Sequence, residues 1–237
     1  MKNRSSKSIF LDLKKLSKSN NSYKKLSFKF ESELLDYHPH LKNFSSQHFR
    51  LFDELASKLN LQDSINNLFN GEIVNKTENR QALHHQYRNN QTTSEFDFKK
   101  ITEPFIKRIK KDGFKNIITF GIGGSYEGPK LLQEFTNKES FKFNYYFVSG
   151  PDKDEFNSIL KPISDQKNFY IFSSKSLSTD ETLACLKWLG AKRDSTNSIV
   201  ITANTEKAKT LGFNENCIVP FPETVGGRYS IWSPISL

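Results

Sequence analysis

Residues 116–133, Asn-Ile-Ile-Thr-Phe-Gly-Ile-Gly-Gly-Ser-Tyr-Glu-Gly-Pro-Lys-Leu-Leu-Gln, restrict the folds open to this chain more than any other stretch. Ile117, Ile118 and Phe120 make an apolar run of strand length that stops at Gly121, and residues 130–135 read as a helix. A strand that feeds a helix through glycines leaves backbone N–H groups converging at the positive end of the helix dipole, which is an anion site. Two known phosphate loops fail on these residues. Tyr126 stands where a dinucleotide fingerprint needs its third glycine, and Pro129 stands where a nucleotide P-loop needs its lysine. On these residues alone, a tight turn without a ligand is an equal reading.

The rhythm set here continues downstream. Apolar strands are expected at 117–120, 145–148, 169–172, 199–201 and 218–221, with helices at 154–160, 180–189 and 205–211. Such alternation calls for an α/β fold, a parallel sheet covered by helices on both faces, with ligands at the carboxyl ends of the strands. Upstream the pattern is helical. Phe49, Phe52, Leu55 and Leu59 predict a helix from Ser46, and Asp63 caps a second that stops at Asn70-Gly71. Thr77 opens a helical segment over 78–88, residues 89–93 break it, and a helix over 96–111 closes at Gly113. Glu33-Leu-Leu-Asp-Tyr37 reads as a short ordered piece. The expected division is a basic, flexible arm at 1–30, a helical region at 31–95 and an α/β domain at 96–237.

A second loop, Ser173-Ser-Lys-Ser-Leu-Ser-Thr-Asp-Glu-Thr182, follows the third of those strands. Ser178 and Glu181 have the spacing of a capping box, so Glu181 is expected to be occupied as a cap. Capping leaves Ser174, Lys175, Ser176 and Thr179 unexplained. Hydroxyls, backbone N–H groups and an ammonium at a helix N-terminus suit a phosphate dianion. In a parallel sheet this loop opens on the same edge as Gly123–Ser125, and the pair is more specific than either loop alone.

Charge has to be located before it is interpreted. The chain carries +9, but residues 1–29 hold nine basic residues against the single Asp12, which leaves +1 for the rest. The excess therefore belongs to the leading segment and not to a groove, which argues against a specific nucleic-acid interface. No apolar run reaches membrane-spanning length and the basic N-terminus has no leader-like apolar core, so a cytoplasmic protein without membrane association is expected. Cys185 and Cys217 lack metal-ligand spacing and read as buried free thiols, with no metal site expected.

The end of the chain contains Gly226-Gly-Arg-Tyr-Ser-Ile-Trp-Ser233. Together with Gly121-Ile-Gly-Gly-Ser125, Gly128-Pro129, the Ser174-Lys175 loop with Thr179 and Glu181-Thr182, it resembles the glucose-6-phosphate isomerase family. Asn70-Gly-Glu72, Thr77-Glu-Asn-Arg80 and Leu83-His84 add to the likeness, which runs from about Leu34 to Leu237. The resemblance implies a three-layer α/β/α sugar-isomerase domain at 96–237. It also implies interconversion of glucose 6-phosphate and fructose 6-phosphate without a cofactor, by an enzyme that works as a cytoplasmic homodimer when full-length. By the same resemblance Gly124 and Ser125 contact substrate, residues 174–179 hold its phosphate, and Arg228 stabilises the developing enediolate.

There are departures from that family. Ser176 and Ser178 stand where it often has threonine, which keeps a hydroxyl, and Tyr126 stands where it often has aspartate. The family's glutamate base, ring-opening histidine and substrate lysine come after the arginine motif, and none has a counterpart here. The expectation is an N-terminal portion, inactive by itself. His84 and His85 are read as helix-surface or interface histidines, not substitutes. Two other classes compete: a non-catalytic phosphosugar-binding module, which would have no enediolate for Arg228 to stabilise, and a nucleic-acid binder using the basic arm.

Overall fold

The computed structural model describes residues 4–18, 26–27, 40–41, 44–88, 97–136 and 143–237. These group into two compact units, Met1–Val74 and Asn75–Leu237. The expected ordered piece at 33–37, the break at 89–93 and the boundary near 95 lie outside the described residues.

The first unit holds helix α1 (Ser6–Lys18), the short antiparallel pair β1 (Leu26–Ser27) and β2 (His40–Leu41), and helices α2 (Ser46–Lys58) and α3 (Leu61–Phe69). The flexible arm expected over the leading residues is not what residues 4–18 form. Ile9, Leu13 and Leu16 are few, but their spacing gathers them on one face of α1. Ile9 is fully buried there, clustered with Leu51 and Leu55 of α2. Arg4 pairs with both Asp12 and Glu54, which ties the start of α1 to α2. Helix α3 begins at Leu61 behind Asn60, whose φ of 50° is left-handed, so Asp63 lies in the first turn and is not the cap.

The second unit opens with a turn where a helix over 78–88 is expected. Asn75 and Arg80 exchange backbone hydrogen bonds at 3.1 and 3.2 Å, and only His84–Arg88 winds into a short 3-10 turn. The Asn75 side chain explains the difference. Its Oδ1 accepts from Thr77 Oγ1 at 2.8 Å and from Glu78 N at 3.3 Å, an alternative to helical bonding. Helix α4 (Phe98–Lys111) follows, capped by Asp97, which accepts from Lys100 N.

Strands and helices then alternate: β3 (Asn116–Phe120), α5 (Gly124–Phe135), β4 (Asn144–Val148), α6 (Lys153–Leu160), β5 (Asn168–Ser173), α7 (Asp180–Leu189), β6 (Ser198–Thr202), α8 (Thr205–Thr210) and β7 (Ile218–Pro220). All five strands run parallel in the order β4-β3-β5-β6-β7. The period-two alternation sorts their side chains to two cores. Ile118, Phe120, Tyr170, Phe172 and Val200 face one side with Phe156 of α6, Leu186 of α7 and Ala208 of α8. Ile117, Phe169, Ile171, Ile199 and Ile201 face the other with Ile109 of α4. This is the layered α/β fold expected, with every interior strand apolar on both faces as a parallel sheet requires. The chain order reverses between β3 and β5, and that crevice is where open parallel sheets take ligands.

Candidate functional site

Both loops singled out in the sequence leave the sheet at this reversal, from neighbouring strands. The glycine loop joins β3 to α5, and the helix begins at Gly124, earlier than the residues 130–135 expected. Gly123, the residue before the helix, has φ 55°, a conformation that strains side-chain-bearing residues. Gly124 is needed for a different reason: a Cβ there would collide with the carbonyl of Gly227. The glycine loop and the arginine segment are thus in backbone contact, reinforced by Ser230 Oγ, which donates to Gly227 O at 2.7 Å and to Gly124 O at 3.4 Å.

The loop after β5 is built from its own hydroxyls. Ser174 Oγ lies 3.1 Å from Thr179 Oγ1 and accepts from Leu177 N at 3.1 Å, while Ser176 Oγ and Ser178 Oγ are 2.6 Å apart. Leu177 is a buried non-glycine residue at φ 50°, a cost met only where surrounding packing fixes the backbone. The Lys175 carbonyl is pinned from β6 by Ala203 N and Thr202 Oγ1, each at 3.0 Å.

The capping box expected from Ser178 and Glu181 does not form. Helix α7 starts at Asp180 with Thr179 as its cap residue and no side-chain cap hydrogen bond. Ser178 is turned to Ser176, so the first-turn amides of α7 are left without a side-chain acceptor. Among the described residues, the hydroxyls of Ser173, Thr182 and Thr224 are buried with no hydrogen-bond partner.

Lys175 Nζ donates to Val225 O at 3.3 Å. Burial, and next the Arg80 guanidinium, push its pKa below the ordinary lysine value, against the opposing pull of Glu78 and Glu223. Arg228 is exposed in the 3-10 turn Gly227–Trp232. Among the described residues, the side chains of Ser125 and Arg228 make no hydrogen bond or ion pair.

The structure therefore joins Gly124 to the arginine segment, Lys175 to Val225, and Ser174 to Thr179. It also brings in residues to which the sequence assigned no role at this site. Arg80 donates through Nη1 to Glu223 O at 3.2 Å and pairs through Nε with Glu78 at 3.2 Å. Glu78 and Glu223 are carboxylates that act on Lys175. The Thr77-Glu-Asn-Arg80 motif was the signal for Glu78 and Arg80, and Glu223 had none.

No cluster of three or more His, Cys, Asp and Glu suited to a metal occurs among the described residues, and no described helix is long and apolar enough to cross a membrane. Both cysteines are buried and free, and burial pushes the Cys185 thiol up to about 11, which keeps it unreactive at neutral pH.

Comparison with known proteins gives a family. The phosphoglucose isomerase family model matches residues 38–237. The glucose-6-phosphate isomerase of Buchnera aphidicola subsp. Cinara cedri is 32% identical over 221 residues, covering 81% of this chain and 40% of the relative. That of Shewanella sediminis is 30% identical over 232 residues, covering 86% of this chain and 42% of the relative. The crystal structure of a glucose-6-phosphate isomerase from Chlamydia trachomatis has a TM-score of 0.64 at 18% identity, over 82% of this chain and 42% of its own, and supports the fold. The chain thus spans less than half the length of the relatives it matches. The chain belongs to the phosphoglucose isomerase family.

Proposed function

We propose that this chain is the N-terminal, substrate-holding portion of an isomerase that interconverts glucose 6-phosphate and fructose 6-phosphate through an enediolate. One observation carries the reading: at the reversal of strand order, the hydroxyl- and lysine-bearing loop after β5 and the glycine loop after β3 are each hydrogen-bonded to the arginine segment. Lys175, Ser174, Ser176, Thr179 and the open first-turn amides of α7 hold the phosphate dianion. Gly124 and Ser125 line the sugar's path. Arg228, with no hydrogen bond or ion pair among the described residues, supplies a fixed cation for charge that exists only along the reaction.

Moving hydrogen between C1 and C2 changes no net oxidation state, so proton transfer suffices and no cofactor is called for. The reaction needs a base within hydrogen-bond reach of the carbon acid. Glu78 is already paired with Arg80, and the base, histidine and second lysine are assigned to polypeptide beyond these residues. The full-length enzyme is a cytoplasmic homodimer in this reading.

Titration calorimetry of the purified chain tests it. Glucose 6-phosphate should bind with a dissociation constant at or below about 1 mM, in the range of ordinary enzyme substrates, while glucose should not bind at the same concentrations. Equal behaviour of the two sugars overturns the assignment. A coupled assay should detect no turnover by the chain alone. Sugar-phosphate binding without turnover by the intact natural protein would favour a non-catalytic phosphosugar-binding module instead.

A further inference from the structure

We infer that residues 75–88 are a strap whose Arg80 and His84 are positioning residues for the arginine segment. Three successive carbonyls of that segment are each taken by a donor from elsewhere in the chain. Glu223 O accepts from Arg80 Nη1 at 3.2 Å, Thr224 O from Leu83 N at 3.0 Å and Val225 O from Lys175 Nζ at 3.3 Å. Two of the three donors belong to the strap. On the far side of Arg228, the His84 ring stacks on Tyr229 with centroids 4.3 Å apart and planes 15° from parallel. The strap therefore grips the segment on both sides of Gly226-Gly227-Arg228.

Those two glycines have no side chains with which to fix themselves, and glycine gives up the most backbone freedom when ordered. An exposed arginine behind them is aimed only if something outside the glycines holds the ends. Arg80 is well placed to do this, since Glu78 and the reciprocal backbone pair with Asn75 fix it in turn. Among the described residues His84 Nδ1 is buried without a hydrogen-bond partner, and the ring meets Tyr229 by its face. The sequence motif Thr77-Glu-Asn-Arg80 with Leu83-His84 thus acts through the segment it holds, without touching substrate.

The consequence for ligand rests on the proposed isomerase reading, whereas the grip itself does not. Hydrogen exchange in the 237-residue chain reads the grip directly. Arg80→Ala and His84→Ala should each speed exchange of amides in 222–230 by about tenfold or more while leaving β6 unchanged, the mark of local loosening. His84→Phe, which keeps the stack, should restore slow exchange. With ligand, His84→Ala should weaken glucose 6-phosphate roughly tenfold and inorganic phosphate less than about twofold, because His84 holds the segment at Tyr229, next to Arg228, whereas Lys175 meets it at Val225. His84→Phe should recover that split. Unchanged exchange at 222–230 in both alanine variants overturns the strap. So does a parallel loss of phosphate and sugar phosphate, which would mark a general structural defect. If the parent chain binds no sugar phosphate, the substrate reading fails and exchange alone decides the strap.

Discussion

Lys175 Nζ donates to the carbonyl oxygen of Val225 at 3.3 Å. The cation expected to meet a phosphate is therefore also a tie between the loop after β5 and the segment that carries Arg228. Replacing it removes both functions. Lys175→Ala should weaken sugar-phosphate binding by roughly 1.5–3 kcal/mol, the usual worth of a hydrogen bond to a charged group, about 10- to 150-fold in dissociation constant. Burial and Arg80 lower this lysine's pKa, so affinity should begin to fall with rising pH earlier than an ordinary lysine would allow. Calorimetry across alkaline pH measures both effects, and an affinity independent of Lys175 would remove it from the site.

Gly124 lies against the Gly227 carbonyl with no room for a methyl group. In Gly124→Ala either the glycine loop or the arginine segment must move, at a cost typical of overpacking, about 1–3 kcal/mol. A drop in thermal midpoint together with loss of sugar-phosphate binding is expected. Full retention of both would show that the contact between the two loops is dispensable.

His84 should make stability fall on acidification. Burial first, then Arg88 and His85, lower its pKa in the folded state from about 6.5. A base with a depressed folded value binds its proton more readily when unfolded. Its contribution is therefore complete above about pH 6.5 and lost as the pH falls through the lower folded value. Urea midpoints at pH 7.5 and 5.0 should drop further for the parent chain than for His84→Phe. Equal drops would mean that His84 does not titrate in this way.

Ile9 is fully buried against the α2 helix. Ile9→Ala should cost the first unit about 2–5 kcal/mol, the range for deleting a buried aliphatic side chain. Because that cluster is small, removal of α1 should expose Leu51 and Leu55 and melt much of α2. Urea unfolding followed by helical circular dichroism is the measurement, and a change under about 0.5 kcal/mol would return α1 to the status of a loose arm.

Much of the α/β part was legible because its signals are local. Short apolar runs closed by Gly121 or Ser174 define strands, and their alternation with helices leaves little choice but a parallel sheet with both loops on one edge. The capping of α7 was misjudged for a reason of scale. Ser178 and Glu181 have the right spacing, but Ser176 is a nearer partner for Ser178, and sequence spacing does not rank competing hydrogen bonds. In the 75–88 segment, helix propensity lost to the Asn75 side chain and to bonds reaching residues 223–229.

The sequence by itself determined the layered α/β class, the two loops, and through its combination of motifs the family. It could do so because apolar periodicity and glycine placement act over a few residues. Only the tertiary structure decided which groups meet. Arg80 reaches Glu223, Lys175 reaches Val225, Gly124 touches Gly227, and Ile9 makes α1 part of a core. Each of these joins residues far apart in the chain, where contact depends on strand order and loop course and leaves no trace in local periodicity.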